Sequence, residues 1–572
     1  MQDSWSSLGL AVDQGGQAPW YRQLNRYHWF VLTVCTLGWV FDCMGQQLFA
    51  VVRKPAVAAL IGAAADDPDV DWYSGLATSL MLIGWATGGI IFGILGDRIG
   101  RARTMVFTIL IYSIFTGVSG IAQNLGEFIL YRFLCGLGVG GQFAVGATLI
   151  AESMPEGARP RALALMQALA NWGNVTAALI GMGFGQLEKI SVVSEGWQWR
   201  WTLAVGALPA LLAIPVFRRL KEPESWRRAV GAGERNPKAG SLKELFGNPR
   251  WRRNTIVGMI LASTGVIGLW GIGFFSIDLN QTIFLNIYEN KERKLGEAEK
   301  DRELISLILR SPQEAAEFVT KIPARRILNE KVDQREARCV YGAITELYES
   351  NQQITRENII SLVEKIQPLP DAPARLQHDR LVAYLTPSAA DLKLSFQEHV
   401  DRITARAKTI RAGVSFWGSI TSVLFNIGGF FGAYAFSYIT ARLGRRPAFA
   451  LAFLLAGSST CFAFLYMQNA FDVFWMTPLM GFCQFLIFGG YAIYFPELYP
   501  TRLRSTGTSF CYNIGRYVAA IGPSTLGMLC FVVFRDFQEP MRYAGATMCA
   551  IFLLGLLVLP FAPETRGKPL PE

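Results

Sequence analysis

Apolar residues along this chain come in long unbroken runs separated by polar loops, without the strict alternation that marks half-buried strands. Runs near the ~20-residue length that an α-helix needs to cross a bilayer fall at 29–52, 73–95, 105–123, 126–151, 163–185, 199–217, 254–277, 413–438, 447–467, 473–495, 508–534 and 541–562. This pattern predicts an all-α membrane protein of twelve transmembrane helices, which the repeated motifs described below divide into two pseudo-symmetric six-helix bundles. Residues 278–412 stand outside it, being dense in charge of both signs. There Ser311-Pro312-Gln313-Glu314 reads as an N-cap, a first-turn proline and a capping-box acid, and Arg335–Tyr348 and Asp391–Arg411 read as amphipathic helix. The segment is expected to be a mostly helical soluble insert. The organisation is then a tail (1–28), a first bundle (29–226), a linker (227–253), the seventh helix (254–277), the insert (278–412), helices eight to twelve (413–562) and a closing tail (563–572).

Charge adds an orientation. Arg98, Arg101 and Arg103, the basic stretch from Arg218 to Arg253, and Arg442, Arg445 and Arg446 all fall in alternate loops, which by the positive-inside rule are cytoplasmic. An even number of spans puts both termini inside and the insert on the outer face. Arg53 and Lys54 break the rule, lying just beyond the outer end of the first span. The first 28 residues hold no apolar h-region, so the first span itself is expected to address the chain to the cell membrane. The formal net charge of +10 and pI near 9.1 follow from the loop bias, and no nucleic-acid partner is expected. Nine cysteines are scattered without a CxxC or a Cys/His cluster, so neither a metal nor a redox cofactor is expected. Cys339 is alone in the insert. No nucleotide loop or nucleophile constellation points to an enzyme.

The two halves repeat each other. In the first, Gly93, Leu95, Asp97, Arg98, Gly100 and Arg101 follow the second span, Glu152-x-x-Pro155-x-x-x-Arg159 ends the fourth, and Glu222-Pro223-Glu224-Ser225 ends the sixth. In the second, Arg442, Gly444, Arg445 and Arg446 follow the eighth span, Glu497-x-x-Pro500-x-x-x-Arg504 ends the tenth, and Pro563-Glu564-Thr565-Arg566-Gly567 ends the twelfth. Such spacing implies a duplicated six-span unit. With Trp199-Arg200-Trp201, these motifs resemble those of the major facilitator superfamily, nearest to its sugar porter and metabolite:proton symporter branches. The resemblance implies interhelical ion pairs that hold the outward-facing state, made by Asp97, Arg98, Arg101, Glu152, Arg159 and Glu224 in one half and Arg442, Glu497, Arg504 and Glu564 in the other. Ala441 stands where the second half would carry its acid, so the second lock is expected to be weaker. Ordinary loop charge is the alternative.

Inside the spans one carboxylate stands out. The three histidines, His28, His378 and His399, lie outside the spans or at their edge, which leaves Asp42 as the titrating candidate. It lies ~20 Å into its helix, and Arg132, ~9 Å from the outer edge of the fourth span, is expected at the same level. Intramembrane charges pair, and the family resemblance also gives an Asp on the first helix and an Arg on the fourth as a coupling pair. A purely structural pair is the alternative. Gly136, Gly138 and Gly140 after Arg132 fit close helix packing. Gln167 and Asn174 share a face of the fifth span, where sugar porters resemble this chain. The glutamines and asparagine of the sugar-porter seventh helix are replaced by Thr264, Gly265 and Trp270, and Gln142 replaces an acid common in metabolite symporters. Arg516, ~15 Å into the eleventh span, suits a substrate carboxylate or phosphate, with Tyr512 and Asn513 beside it, unless it pairs with a group within the protein. Trp270 is a candidate for the same cavity or for packing.

These residues predict a secondary transporter: proton-coupled symport of a small organic solute, an organic acid before a sugar, by alternating access in a single chain. An uncoupled facilitator or sugar porter, and a non-transporting receptor or scaffold that binds a partner through the insert, are the other readings.

Overall fold

The computed structural model describes residues 19–63, 68–189, 192–194, 196–230, 238–273, 275–294, 396–519, 528–537 and 539–571. Every element among them is helical. The first half supplies α1 (Arg26–Ile61), α2 (Pro68–Ile99), α3 (Arg101–Ser119), α4 (Leu125–Ser153), α5 (Arg159–Lys189) and α6 (Gln198–Arg219). The second supplies α7 (Pro249–Val266), α8 (Phe275–Lys294), α9 (Phe396–Leu443), α10 (Arg445–Tyr466), α11 (Ala470–Glu497), α12 (Arg504–Ala519) and α13 (Pro540–Phe561). Ten helices among the described residues are long and apolar enough to span a bilayer: α1 to α6, α9 from Phe416, α10, α11 and α13. The chain is a multi-pass membrane protein.

The seventh and eleventh apolar runs of the sequence fall short of that measure for a physical reason. α7 opens with Arg250, Arg252 and Arg253 and gives way to a π-helical turn at Ile267–Gly273. Just before that turn the hydroxyl of Tyr491, on α11, accepts from the Gly265 amide at 3.2 Å and donates to the Leu261 carbonyl, standing between two groups that an α-helix would pair. α12 buries a polar face of Ser505, Thr506, Thr508, Ser509, Asn513 and Arg516. Polar residues buried on a helix of this kind mark a face turned to other helices rather than to lipid.

Within the first half α4 packs on α2 and α3, and α1 on α5; across the halves α12 meets α2 and α4, and α11 meets α5. The α4 glycines permit this. A Cβ on Gly136 would lie 2.3 Å from the Met81 carbonyl oxygen, one on Gly140 2.0 Å from that of Trp85, and one on Gly138 2.5 Å from the Tyr112 nitrogen.

The repeat is visible in how helices end. Asn124 caps α4 by accepting from the Glu127 amide at 2.9 Å, and Asn469 caps α11 by accepting from the Asp472 amide at 3.1 Å. Each acid reaches back to the glutamine before its cap, Glu127 to the Gln123 amide and Asp472 to the Gln468 amide. Such a cap contributes ~1 kcal/mol. Arg200, the centre of the Trp-Arg-Trp motif, donates to the Gly120 and Ala122 carbonyls past the end of α3, and Arg542 donates to the Phe464 and Met467 carbonyls at the end of α10. Arg53, which breaks the loop-charge rule, donates to the Thr78 hydroxyl at 3.2 Å.

By its internal contacts the chain divides into two compact units, Met1–Leu279 with Ser419–Glu572, and Asn280–Gly418. In the second, Phe284 stacks on Trp417 at 5.5 Å. Residues 396–411 of the expected amphipathic segment belong to the continuous helix α9. The other insert features named above, Ser311–Glu314, Arg335–Tyr348, Cys339 and His378, lie outside the described residues.

Candidate functional site

Asp42 sits midway along α1, and its side chain is wholly buried. One oxygen accepts from Gln46, one helical turn on, at 3.3 Å; the other has no hydrogen-bond partner. The cation whose field acts on Asp42 is Arg516, reached without a salt bridge between them among the described residues. Arg516 is 1% exposed. Its guanidinium lies between two rings, 3.9 Å from the Trp85 centroid and 4.5 Å from that of Tyr512. It donates to the Tyr512 carbonyl at 2.6 Å and to Asn513 Oδ1 at 3.0 Å, while Nε is unpartnered. A buried cation stacked on aromatic faces is held electrostatically by the ring quadrupoles and keeps N–H donors for an anion.

Aromatic rings extend the site. Trp39, three residues before Asp42, lies 5.2 Å from Phe143 of α4, which stacks at 3.9 Å on Tyr512 of α12 and so joins the halves. Trp39 donates to Gln167 Oε1 of α5 at 3.2 Å. Gln142 accepts from Thr108 at 2.6 Å and leaves its amide nitrogen unpartnered. A Cβ on Gly38 would stand 2.2 Å from that nitrogen, so the glycine one turn before Asp42 makes room for it.

The pairing expected between Asp42 and Arg132 is not the one the structure makes. Arg132 donates to the Phe115 carbonyl and the Ser119 hydroxyl at the end of α3, and its guanidinium lies over the Phe49 ring at 5.3 Å. Phe49 is seven residues past Asp42, ~10 Å along the helix axis. Depths counted from the edges of apolar runs missed this offset because α1 runs through 36 residues, well beyond its apolar run.

Other expected residues divide. Asn174 donates to Asn426 of α9 at 2.8 Å, a link between the halves. Asn513 is buried with its amide on the Ser509 and Gly140 carbonyls, so it orients Arg516. The backbone of Trp270 lies in the π-helical turn, and its side chain lies outside the described residues. Asn171, between Gln167 and Asn174 on α5, is buried with an unpartnered Oδ1. It went unselected because nothing in the chain marks a third amide as facing inward; its spacing of four from Gln167 was the available signal.

At the basic end of the helices a clamp joins the halves. Asp97 accepts from the Ser505 amide at 3.1 Å, the Thr506 amide at 2.8 Å and the Thr506 hydroxyl at 2.6 Å, capping α12, and pairs with Arg101 at 2.9 Å. Glu152 pairs with Arg101 at 3.0 Å and with Arg504 of the other half at 2.8 Å. Arg445 pairs with Glu497 at 2.7 Å. Arg159 feels the charge of Glu497 but makes no ion pair with it among the described residues. The linker joins through Glu244, which pairs with Arg502 at 2.9 Å, and through Arg98, which donates to the Ala239 carbonyl at 3.3 Å.

Three expected members of this network take other places. Glu224 is exposed on the first turn of the short helix Glu224–Val230. The acid that reaches the start of α3 is Glu222, which accepts from the amides of Arg101, Ala102 and Arg103. Arg98 and Arg442 are exposed, and the cation that pairs in the second half is Arg445. The signal lay in the intervals: 51 and 52 residues from Arg101 to Glu152 and from Arg445 to Glu497, and 121 and 119 from those arginines to Glu222 and Glu564. Both arginines follow a glycine with positive φ, +111° at Gly100 and +92° at Gly444, a conformation that costs glycine little. Burial pushes the Glu222 carboxyl above the usual range despite its three amide donors. Burial also acts on Glu564, but there the amides of Arg445, Arg446 and Arg566 and the Arg445 charge outweigh it and hold the carboxyl below the usual range.

Comparison with known proteins agrees with this architecture. The sequence pattern of the Major Facilitator Superfamily matches residues 35–300. The chain is 30% identical to the niacin transporter of Acinetobacter baylyi over 35% of its own length and 42% of that protein's. It is 23% identical to a putative metabolite transport protein of Haemophilus influenzae over 96% of its length and 99% of that protein's. A proton:xylose symporter superposes with a TM-score of 0.54 at 14% identity, covering 95% of this chain and 98% of the other, which speaks for the fold alone. The relatives are transport proteins and not enzymes. With its repeated clamp motifs and its helical architecture, the chain carries the Major Facilitator Superfamily pattern across residues 35–300 and is similar to membrane transport proteins along its length.

Proposed function

We propose that this protein carries a small organic acid across the cell membrane together with a proton, by alternating access. The observation that carries the reading is the pair of buried, unbridged charges, Asp42 on α1 and Arg516 on α12, within each other's field and each with a polar atom unpartnered. Substrate carboxylate binds the Arg516 guanidinium between Trp85 and Tyr512. Binding neutralises the positive field that favours an ionised Asp42, so the carboxylate takes up a proton. By linkage, protonation of Asp42 strengthens anion binding by the same factor. Acid and proton are thereby loaded together, and the loaded site is nearly charge-neutral. The Phe143–Tyr512 stack between the halves then opens on one side or the other. Gln167, Asn171 and Asn174 line the approach on α5, with Trp270 a further candidate. Niacin, the cargo named for one relative, is itself a planar acid, which supports a carboxylate reading over a sugar.

In this reading twelve helices form two six-helix bundles, α7 and α12 being the polar members the hydropathy measure passes over. The basic end with its clamp is cytoplasmic, as are both termini, and the 278–412 insert is on the outer side of the membrane. The chain works as a monomer. In this scheme Arg132 secures the outer end of α3 and leaves coupling to Arg516.

The test is uptake of nicotinate and benzoate into proteoliposomes with and without a pH gradient. Asp42→Asn is expected to keep exchange of labelled acid at equal concentrations and lose accumulation driven by pH, and Arg516→Gln to lose both. Accumulation by Asp42→Asn equal to the parent would overturn the coupling assignment; equilibration alone by the parent would leave a facilitator.

A further inference from the structure

A cavity of about 740 Å³ opens at the basic end of the second half, between the start of α7, the start of α10, the end of α11 and the closing tail. Four cations line it, Arg250, Arg253, Arg446 and Lys568, against two carboxylates, Glu497 and Glu564. Both acids are already engaged. Glu497 is held by Arg445 and the Thr565 hydroxyl, and Glu564 by the amides of Arg445 and Arg446. The cations are less committed. Arg446 donates through Nε to the Ala562 carbonyl, and Arg250 lies over the Trp251 ring at 4.7 Å. Arg253 and Lys568 are exposed and have no ion-pair partner among the described residues. The first turn of α7 faces the same space through Pro249 and Arg250, adding the positive end of a helix dipole.

We propose that this cavity is a binding site for a phosphate group, distinct from the transport site. Several guanidiniums from different elements meet a phosphate through more than one oxygen, and a helix N-terminus adds to the attraction. The cavity has room for more than the phosphate itself, so the group arrives either on a soluble ester or on the headgroup of an anionic lipid. Its place gives it a consequence. The tail that lines the cavity runs on to Pro571, whose carbonyl accepts from Arg504 at 2.9 Å. Arg504 is the residue that bonds Glu152 across the halves. A phosphate bridging Arg253 and Arg446 to Lys568 therefore holds the tail in place beside the clamp and favours the state in which the clamp is closed.

The full chain in a neutral detergent provides the test. Its thermal midpoint is measured in inorganic phosphate and in sodium chloride of equal ionic strength, and in phosphatidylcholine vesicles with and without phosphatidic acid. A rise of roughly 3 °C is the order for a site well occupied in a chain of this length, and hydrogen exchange across residues 561–571 slows with it. Both effects are expected to vanish in the Arg253→Gln/Lys568→Gln variant. Lys568→Gln alone, on the exposed tail, keeps the test valid if the double variant folds poorly. A response to inorganic phosphate identifies a soluble anion, and a response confined to phosphatidic acid identifies a lipid headgroup. No response to either, or equal responses in parent and variants, overturns the proposal.

Discussion

Replacing Asp97 by asparagine keeps the shape of the side chain and removes its charge, which isolates what that charge does in the clamp. In the parent, one carboxylate receives three hydrogen bonds from the first turn of α12 in the other half and pairs with Arg101, all fully buried. Asparagine retains one accepting oxygen, but its NH2 group meets a backbone N–H where an acceptor stood. A hydrogen bond to a charged group contributes ~1.5–3 kcal/mol, and a carboxylate at a helix N-terminus ~0.3–1 kcal/mol, rising to ~2 when partly buried. Removing one partner of a buried ion pair costs ~3–5 kcal/mol, an upper bound here because Arg101 keeps Glu152 and the Thr501 carbonyl. The closed clamp should therefore weaken by ~2–4 kcal/mol, a shift of about 30- to 700-fold in its opening equilibrium. Hydrogen exchange of the Ser505 and Thr506 amides, read by mass spectrometry on a peptide across the start of α12, should accelerate by that factor. An increase of less than about threefold, under ~0.7 kcal/mol, would refute the account of Asp97 as the cap that joins the halves.

Glu222→Gln should lower the thermal midpoint through the loss of ~1–2 kcal/mol of capping at α3, while Glu224→Gln, at an exposed position, should stay within ~0.5 kcal/mol of the parent; a reversed order would restore the sequence alignment of Glu224 with Glu564. Arg445→Gln should likewise destabilise and Arg442→Gln should not, read by the same melt. The two capping acids differ in sign with pH. Glu222 has a raised pKa, so its charged form is the disfavoured one in the fold, and as pH falls it protonates above the ordinary glutamate value of 4.5; Glu564 has a lowered pKa and keeps its contribution until pH falls below 4.5. After correction for intrinsic rates, amide protection at Arg445–Arg446 should weaken as pH falls below 4.5, while protection at Arg101–Arg103, where protonation relieves a disfavoured charge, should not weaken over the same range; equal loss at both would contradict the assignment. Ala441→Asp should slow exchange at the start of α5 by less than about tenfold, ~1.4 kcal/mol, for the reason given below.

What the sequence made legible was whatever repeats or spans. Apolar runs of bilayer length gave the helices, and the paired Gly-Arg and Glu-x-x-Pro-x-x-x-Arg motifs gave the clamp residues Asp97, Arg101, Glu152, Glu497 and Arg504, each found in contact. Partners were less legible because register between helices is not written in any one of them. Counting residues from the ends of apolar runs places Arg132 level with Asp42, but α1 ends at Ile61 and not at Val52, and an error of two turns in where a helix ends moves a side chain ~10 Å. The resemblance implies Glu224, whereas the fold selects by reach, and Glu222 is the acid whose interval matches. Arg516 was found as a lone deep cation, but its neighbours Trp85 and Asp42 lie hundreds of residues away in sequence and nothing local announces them.

The same comparison explains why the two halves are alike in their helix ends and unlike where they meet. Caps internal to one half, such as Asn124 with Asn469 and Arg200 with Arg542, repeat, because each half must satisfy the same orphaned backbone groups to fold at all. Contacts between halves are free to differ. The counterparts of Ser505 and Thr506, counted from Arg504 and Arg159, are Pro160 and Arg161. Pro160 has no N–H to offer, so the second half has lost the acid at position 441 and the first half has lost one of the donors it would have met. A restored aspartate finds a single amide there, which is why its effect should be small. In its place Arg161 lies over the Tyr438 ring at 5.6 Å, a contact worth ~0.5–1 kcal/mol where exposed, well below the buried carboxylate cap on the other side. The seam between α5 and α9 is therefore the weaker of the two, and separation of the halves at the basic end should begin there, with the α2–α12 seam acting as the pivot until Asp97 lets go.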